Sequence, residues 1–137
     1  MTDTTSPRTL RKQAFRLVYE SLALKCTVAE IVEKHKTAAD ELPHEFDAVS
    51  PQLEDLLNMV ATSEEENLEK IRQATKYGSV TGIGKVDLAV LLVVLTENQG
   101  GLDKSIALTE GTKLADIYGA TDKSPDFVHA ILSKVCA

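Results

Sequence analysis

Residues 86–95, VDLAVLLVVL, form the longest apolar run in this 137-residue sequence. The run is about half of a membrane span and contains Asp87, which argues against a transmembrane helix. Because nearly every position is apolar, a helix here would be covered on all sides. Valine is also typical of strands, but no other stretch provides a partner strand. The run therefore predicts a helix at the buried centre of the second half of the chain.

The glycine-rich stretch 77–84, YGSVTGIG, precedes this run and is the clearest break in the sequence. We expect one domain over residues 1–137, with an N-terminal half over 7–78 and a C-terminal half over 79–137. Ser50 and Pro51 predict the start of a helix that continues to about Lys76. Thr27 and Glu30 have capping-box spacing and start a shorter helix that ends near residue 39. Residues 40–49 are expected to form a loop anchored by two apolar side chains, Phe46 and Val49.

After the apolar run, Gly100 and Gly101 are expected to end the helix, and Asp103 to cap the next one. That next helix should end at Gly119. Its inward side chains are expected to be Ile106, Leu108, Leu114 and Ile117. A serine and a proline at 124 and 125 repeat the start signal and open a last helix, whose inward side chains are Phe127, Val128, Ile131, Leu132 and Val135. The pattern predicts an all-α protein of six or seven helices without strands.

Residues 8–24, RTLRKQAFRLVYESLAL, form a helix with two different faces at about 100° of rotation per residue. The face expected to be buried carries Leu10, Ala14, Leu17, Val18 and Leu24. The opposite face carries Arg8, Arg11, Lys12 and Arg16, together with Phe15 and Tyr19. Cations neutralise phosphates and aromatic rings stack on unpaired bases, so this face favours single-stranded nucleic acid. An ordinary solvated helix face with aromatics at the edge of the core explains the same pattern. We expect substitution of the arginines to leave the melting temperature almost unchanged.

The distribution of charge supports a localised anion-binding patch. The chain carries a formal charge of −6. Its first 25 residues carry +3, from five Lys or Arg against two acidic residues, so the remainder carries −9. An acidic body of this kind provides solubility or a surface for a basic partner.

Several functional classes are not favoured. We expect a cytoplasmic protein that acts away from membranes, because the N-terminus lacks a signal-peptide pattern and two cysteines are too few for a disulfide framework. The sequence contains no phosphate loop, dinucleotide fingerprint or nucleophile elbow, and its three histidines are widely separated. We therefore predict no catalytic residues, no cofactor and no metal site.

The two ends of the chain resemble the NusB family of bacterial transcription antitermination factors. At the N-terminus the resemblance lies in Arg8-x-x-Arg11-x-x-Ala14-x-x-x-Val18-Tyr19. At the C-terminus it lies in Leu114-Ala115-x-x-Tyr118-Gly119 and in Phe127-Val128-x-Ala130-Ile131-Leu132. The segment Val86-Asp87-x-Ala89-Val90-Leu91 is similar to the central helix of the family. The resemblance extends from about residue 8 to 135 and is weak over 26–75.

This resemblance implies two packed three-helix bundles that bind boxA-type RNA together with NusE, a ribosomal protein, during ribosomal RNA transcription in the elongation complex. Arg8, Arg11 and Tyr19 match the RNA-contacting helix of the family, while Lys12 and Arg16 are added by helical geometry alone. Asp122 and Phe127 match positions near the RNA surface. Asp87 and Glu110 match positions on the partner side. Self-association into a homodimer is left open.

Three departures from the family pattern concern RNA affinity rather than the fold. Leu92 replaces an arginine, Thr109 replaces an asparagine before Glu110, and His129 replaces an asparagine after Phe127 and Val128. His129 either adds charge near RNA when protonated or satisfies local groups. The main alternative function is a protein-binding helical module that uses the acidic body. A second alternative is the RNA-targeting part of an RNA methyltransferase, which would need a separate catalytic partner.

Overall fold

A computed structural model describes residues 6–41, 49–75 and 82–137 of the chain. The described part contains six α-helices and no strand, which confirms the all-α prediction. The helices are α1 (Pro7–Leu24), α2 (Val28–Glu41), α3 (Pro51–Ala74), α4 (Lys85–Gln99), α5 (Lys104–Tyr118) and α6 (Ser124–Val135). None of these helices is long and apolar enough to span a membrane.

Local capping chemistry sets the start of the first two helices. Ser6 precedes Pro7 and accepts a hydrogen bond from the Thr9 backbone N–H, so it caps α1. The expected capping box is present at α2, where Thr27 Oγ1 accepts from the Glu30 N–H at 3.0 Å and Glu30 Oε1 accepts from the Thr27 N–H at 3.4 Å.

The side-chain caps of the later helices follow the predictions only in part. Ser50 caps α3 as expected. Ser124, however, is the first residue of α6 rather than its cap, and its buried hydroxyl donates to Asp87 Oδ2 at 3.0 Å. Asp103 occupies the N-cap position of α5 without a side-chain capping hydrogen bond. The Ser124 side chain thus bonds to Asp87 of α4, and the Asp103 side chain accepts from Ser105, in place of the expected capping hydrogen bonds.

Helix α4 is the centre of the packing, as the apolar run predicts. Residues 87–96 are all buried, and α4 packs against α1, α3, α5 and α6. The core that surrounds it includes Val18 from α1, Leu57 from α3, Ala107 from α5 and Leu132 from α6. One core therefore joins helices of both predicted halves, and the division near residue 79 stays a prediction. The predicted loop anchor Phe46 and most of the break at 77–84 lie outside the described residues.

Some side chains predicted to face inward lie at the surface. Leu24, the last residue of α1, is 57% exposed, and Lys25 after it ends the helix in the left-handed conformation. Ile106 and Ile117 on α5 are 46% and 69% exposed. The inward face of α5 is formed instead by Ala107, Gly111 and Ala115, since these small residues allow α6 and α4 to approach closely. The inward side chains predicted for α6 are confirmed as buried or partly buried in the core.

Candidate nucleic-acid interface

Four of the predicted RNA-binding side chains lie along the outer side of α1. Arg8 and Arg16 are exposed, Lys12 is half-buried, and the ring of Tyr19 is 40% exposed. Their spacing of three or four residues places them in one row on the helix. The structure therefore brings these three cations and one aromatic ring together on one surface.

Arg11 does not belong to this exposed row, and the expectation that it faces solvent is wrong. Its side chain is 3% exposed and donates twice to Glu97 of α4, with Nε 2.6 Å from Oε1 and Nη2 2.9 Å from Oε2. Glu110 of α5 adds a second carboxylate, 3.9 Å from Arg11 Nη1. Such bidentate hydrogen bonds offset the cost of removing a guanidinium from water. Arg11 therefore joins α1 to α4 and α5.

Arg8 also meets a carboxylate, but at the surface. Its Nη2 lies 2.8 Å and its Nε 3.2 Å from Glu110 Oε1. The side chain of Arg8 remains 70% exposed, whereas that of Glu110 is 12% exposed. The hydrogen bond from Arg8 is the main cause that lowers the pKa of Glu110, with further contributions from the charges of Arg8, Arg11 and Lys113. Glu110 is therefore ionised at neutral pH and faces the arginines of α1.

An aromatic pair supports the middle of the cationic row. Phe15, expected on the basic face, is only 4% exposed, and its ring centroid lies 5.3 Å from that of Tyr118 on α5. Lys12 Nζ lies 5.9 Å from the Tyr118 centroid, within the range of a cation–π contact. A hydrogen bond with Lys12, followed by its charge and the proximity of Arg16, lowers the pKa of the Tyr118 phenol. Tyr118 therefore holds Lys12 in place, and Phe15 belongs to the core instead of the interface.

A cleft of about 280 Å³ separates α1 from α5 beside this row. It is lined by Arg8, Arg11, Lys12, Glu110, Lys113, Leu114, Ile117 and Tyr118. Sequence reasoning did not assign Lys113 or Tyr118 to the site, because α5 is about a hundred residues from α1 in the chain. The helical spacing of Lys113 and Tyr118 from Glu110 gives only a weak indication in the sequence that these residues share a site.

The remaining predicted site residues lie elsewhere. Asp87 and Phe127 line a second, largely apolar pocket of about 620 Å³ between the starts of α4 and α6. Asp87 is 8% exposed, and its Oδ1 has no hydrogen-bond partner among the residues that the structure describes. Burial raises the pKa of this carboxyl group, and the hydrogen bond from Ser124 opposes the rise. Asp122 is exposed at the surface and does not line this pocket. The structure thus brings Asp87 and Phe127 together, apart from the row on α1.

The three family departures differ in their exposure. Leu92 is fully buried in the core, so this position contributes no surface charge. Thr109 is exposed and donates to the Ser105 carbonyl at 2.9 Å. The His129 side chain is exposed on α6. Among the described residues, no three His, Cys, Asp or Glu side chains form a group that could hold a metal ion.

Comparison with known proteins identifies relatives that are transcription antitermination proteins. The chain is 28% identical to the transcription antitermination protein NusB of Clostridium tetani over 146 aligned positions, which cover 91% of this chain and 94% of that protein. It is 29% identical to the NusB of Geotalea daltonii over 85 positions, covering 61% of this chain and 58% of that protein. No family model matches the chain.

These relatives support a role in transcription antitermination, which is not an enzymatic activity, and thereby confirm the prediction of a non-catalytic protein. The all-helical structure agrees with the same assignment. The match along nearly the whole length of the first relative also confirms the resemblance that the two ends of the sequence indicated. The two relatives therefore support a divergent member of the NusB family of transcription antitermination proteins.

Proposed function

We propose that this protein binds boxA-type single-stranded RNA together with a NusE-type ribosomal protein during transcription of ribosomal RNA in the cytoplasm. The observation that carries this proposal is the exposed row of Arg8, Lys12, Arg16 and Tyr19 on α1. Cations at this spacing can follow a phosphate backbone, and the exposed ring of Tyr19 offers a surface for base stacking. Because the relatives are transcription antitermination proteins, we expect this nucleic acid to be RNA.

The protein alone should bind RNA weakly. The whole chain carries a charge of −6, so it repels a polyanion at long range. Two of the basic side chains of α1, Arg8 and Arg11, are also already paired with carboxylates. A basic partner on the acidic body would supply the missing positive charge. We expect Asp87 and Phe127, which line the second pocket, to lie close to the joint RNA and partner surface within the elongation complex. Asp122, nearby in sequence, is expected there as well.

A fluorescence titration with labelled boxA-type and scrambled RNA, with and without the NusE-type protein, tests this proposal. We expect tighter binding when the partner is present and a preference for the boxA-type sequence. Lys12→Ala and Arg16→Ala should lower the affinity for both RNAs, and each should reduce the salt slope by up to about 0.7. Lys70→Ala, which removes a cation on α3 that pairs with Glu66, is the matched control and should not alter binding. Equal affinity with and without the partner would contradict the proposed joint binding.

The pairing of Arg8 and Arg11 with carboxylates also favours the second candidate, a protein-binding module of the same fold. In that case the basic row is an ordinary solvated helix face. The two functions differ in a simple readout: folded Lys12→Ala and Arg16→Ala variants would then bind RNA as well as the unmodified protein. Unchanged partner binding in the same variants would complete the case for the protein-binding module.

A further inference from the structure

The cleft between α1 and α5 places one carboxylate among four cations. Glu110 lines the cleft together with Arg8, Arg11, Lys12 and Lys113. Both of its oxygens face arginines, with Oε1 2.8 Å from Arg8 Nη2 and Oε2 3.9 Å from Arg11 Nη1. Several cations beside a single anionic group are also the arrangement that binds a phosphate. The position that a phosphate would occupy is therefore filled by a group of the protein itself.

The two arginines differ in their freedom to leave Glu110. Arg11 is buried, and two of its nitrogens bind Glu97, so it is fixed in the absence of Glu110. Arg8 is 70% exposed and lies in the first turn of α1, where its long side chain can reach solvent. Its Nε and Nη2, the edge that would bind a phosphate in a bidentate manner, both donate to Glu110 Oε1. RNA can therefore use this edge of Arg8 only by displacing the carboxylate.

We propose that the Glu110 carboxylate competes with RNA phosphate for Arg8, so that it holds Arg8 in the free protein and releases it when RNA binds. This inference rests on the proposed function. It gives Glu110 a role different from the partner contact that the family resemblance implied. The 12% exposure of the Glu110 side chain is consistent with this role, since little of it is available to a partner. In this arrangement Glu110 weakens RNA binding and makes the affinity for RNA less dependent on salt concentration.

Replacement of the carboxylate by its uncharged isostere provides the test. We expect Glu110→Gln to bind boxA-type RNA roughly fivefold more tightly. This factor corresponds to losing the attraction between two unit charges that lie about 4 Å apart in water. Its salt slope should be steeper by up to about 0.7, because Arg8 no longer exchanges one anion for another. Glu110→Ala should change in the same direction and replaces the glutamine variant if that protein fails to fold. Asp55→Asn, which removes an exposed charge on α3, is the control for net charge and should leave the affinity almost unchanged.

A double-mutant cycle with Arg8→Ala separates competition from general repulsion. If Glu110 acts through Arg8, the gain from Glu110→Gln should be largely lost in the Arg8→Ala background. An equal gain in both backgrounds would show simple repulsion of RNA by Glu110 and overturn the proposed competition. Unchanged affinity in Glu110→Gln, while the unmodified protein binds RNA, would overturn the inference alone. Absence of RNA binding in every variant, with the partner present, would overturn the proposed function as well.

Discussion

The ion pair between Arg11 and Glu97 provides the sharpest test of the structure, because the sequence pattern predicts the opposite result. On the helical wheel Arg11 faces solvent, and its loss should not affect stability. In the structure its side chain is 3% exposed and that of Glu97 is 14% exposed. Replacing Glu97 with alanine leaves the guanidinium buried without its bidentate partner. Removing one member of a buried pair typically costs about 3–5 kcal/mol.

We expect a value near the lower end, about 3 kcal/mol, because Glu110 remains 3.9 Å from Arg11 and compensates in part. With an unfolding entropy of about 2.1 cal/mol/K per residue, this loss lowers the melting temperature of a 137-residue chain by about 10 °C. Thermal and urea unfolding, followed by circular dichroism, measure both quantities. Arg16→Ala, which removes an exposed arginine from the same helix, should melt like the unmodified protein.

The double variant Arg11→Met with Glu97→Leu distinguishes an unpaired charge from lost packing. Because it removes both charges and keeps similar volumes, its stability should approach or exceed that of the unmodified protein. A Glu97→Ala protein that melts within about 2 °C of the unmodified one, a difference of well under 1 kcal/mol, would refute the buried pair. Arg11 would then face solvent as the helical wheel predicts. With the buried pair in place, a loss of RNA binding in Arg11 variants follows from lost stability and not from a lost phosphate contact.

Three further results are expected. Burial raises the pKa of Asp87, so between the ordinary carboxyl pKa and this raised value the native state holds more protons than the unfolded state. The free energy of unfolding should therefore fall as pH rises through this range. Urea unfolding measured across the range should show this fall in the unmodified protein and not in Asp87→Asn. Gly111→Val should destabilise the protein by about 1–3 kcal/mol in urea unfolding, since even a Cβ at this position would lie 2.5 Å from Leu132 Cδ1; a stability equal to that of the unmodified protein would contradict the close α5–α6 approach. Tyr19→Ala should weaken RNA binding by about 1–3 kcal/mol with an unchanged salt slope, and a change in slope without loss of affinity would exclude stacking.

The sequence predicts most of the fold because the deciding signals are local. The serine and proline at the start of α3 and the capping box of α2 specify helix starts through bonds within a few residues. The uniformly apolar run of α4 specifies its own burial. The prediction fails where a neighbouring helix decides the outcome. Ser124 turns to Asp87 instead of capping α6, and Ile117 is exposed because glycine and alanine form the packed face of α5.

The candidate site is less predictable for the same reason. The helical wheel gives the row formed by Arg8, Lys12 and Arg16 correctly, because their spacing alone determines it. It cannot show that Glu97 and Glu110, about 90 and 100 residues away, face the arginines of α1. Two acidic side chains on different helices therefore divide the basic residues into a buried structural cation and an exposed row.

The complete enclosure of α4 has a consequence for how the protein opens. Because α1, α3, α5 and α6 all pack on this one helix, its amides can reach solvent only when the shared core opens. Backbone amides of residues 90–95 should therefore exchange with deuterium at the rate of global unfolding. Helix α2, which packs on α1 and α3 at the edge of the molecule, should exchange earlier through local opening. A chain cut at residue 79 would leave the helices before the cut without α4, and we expect neither fragment to fold alone.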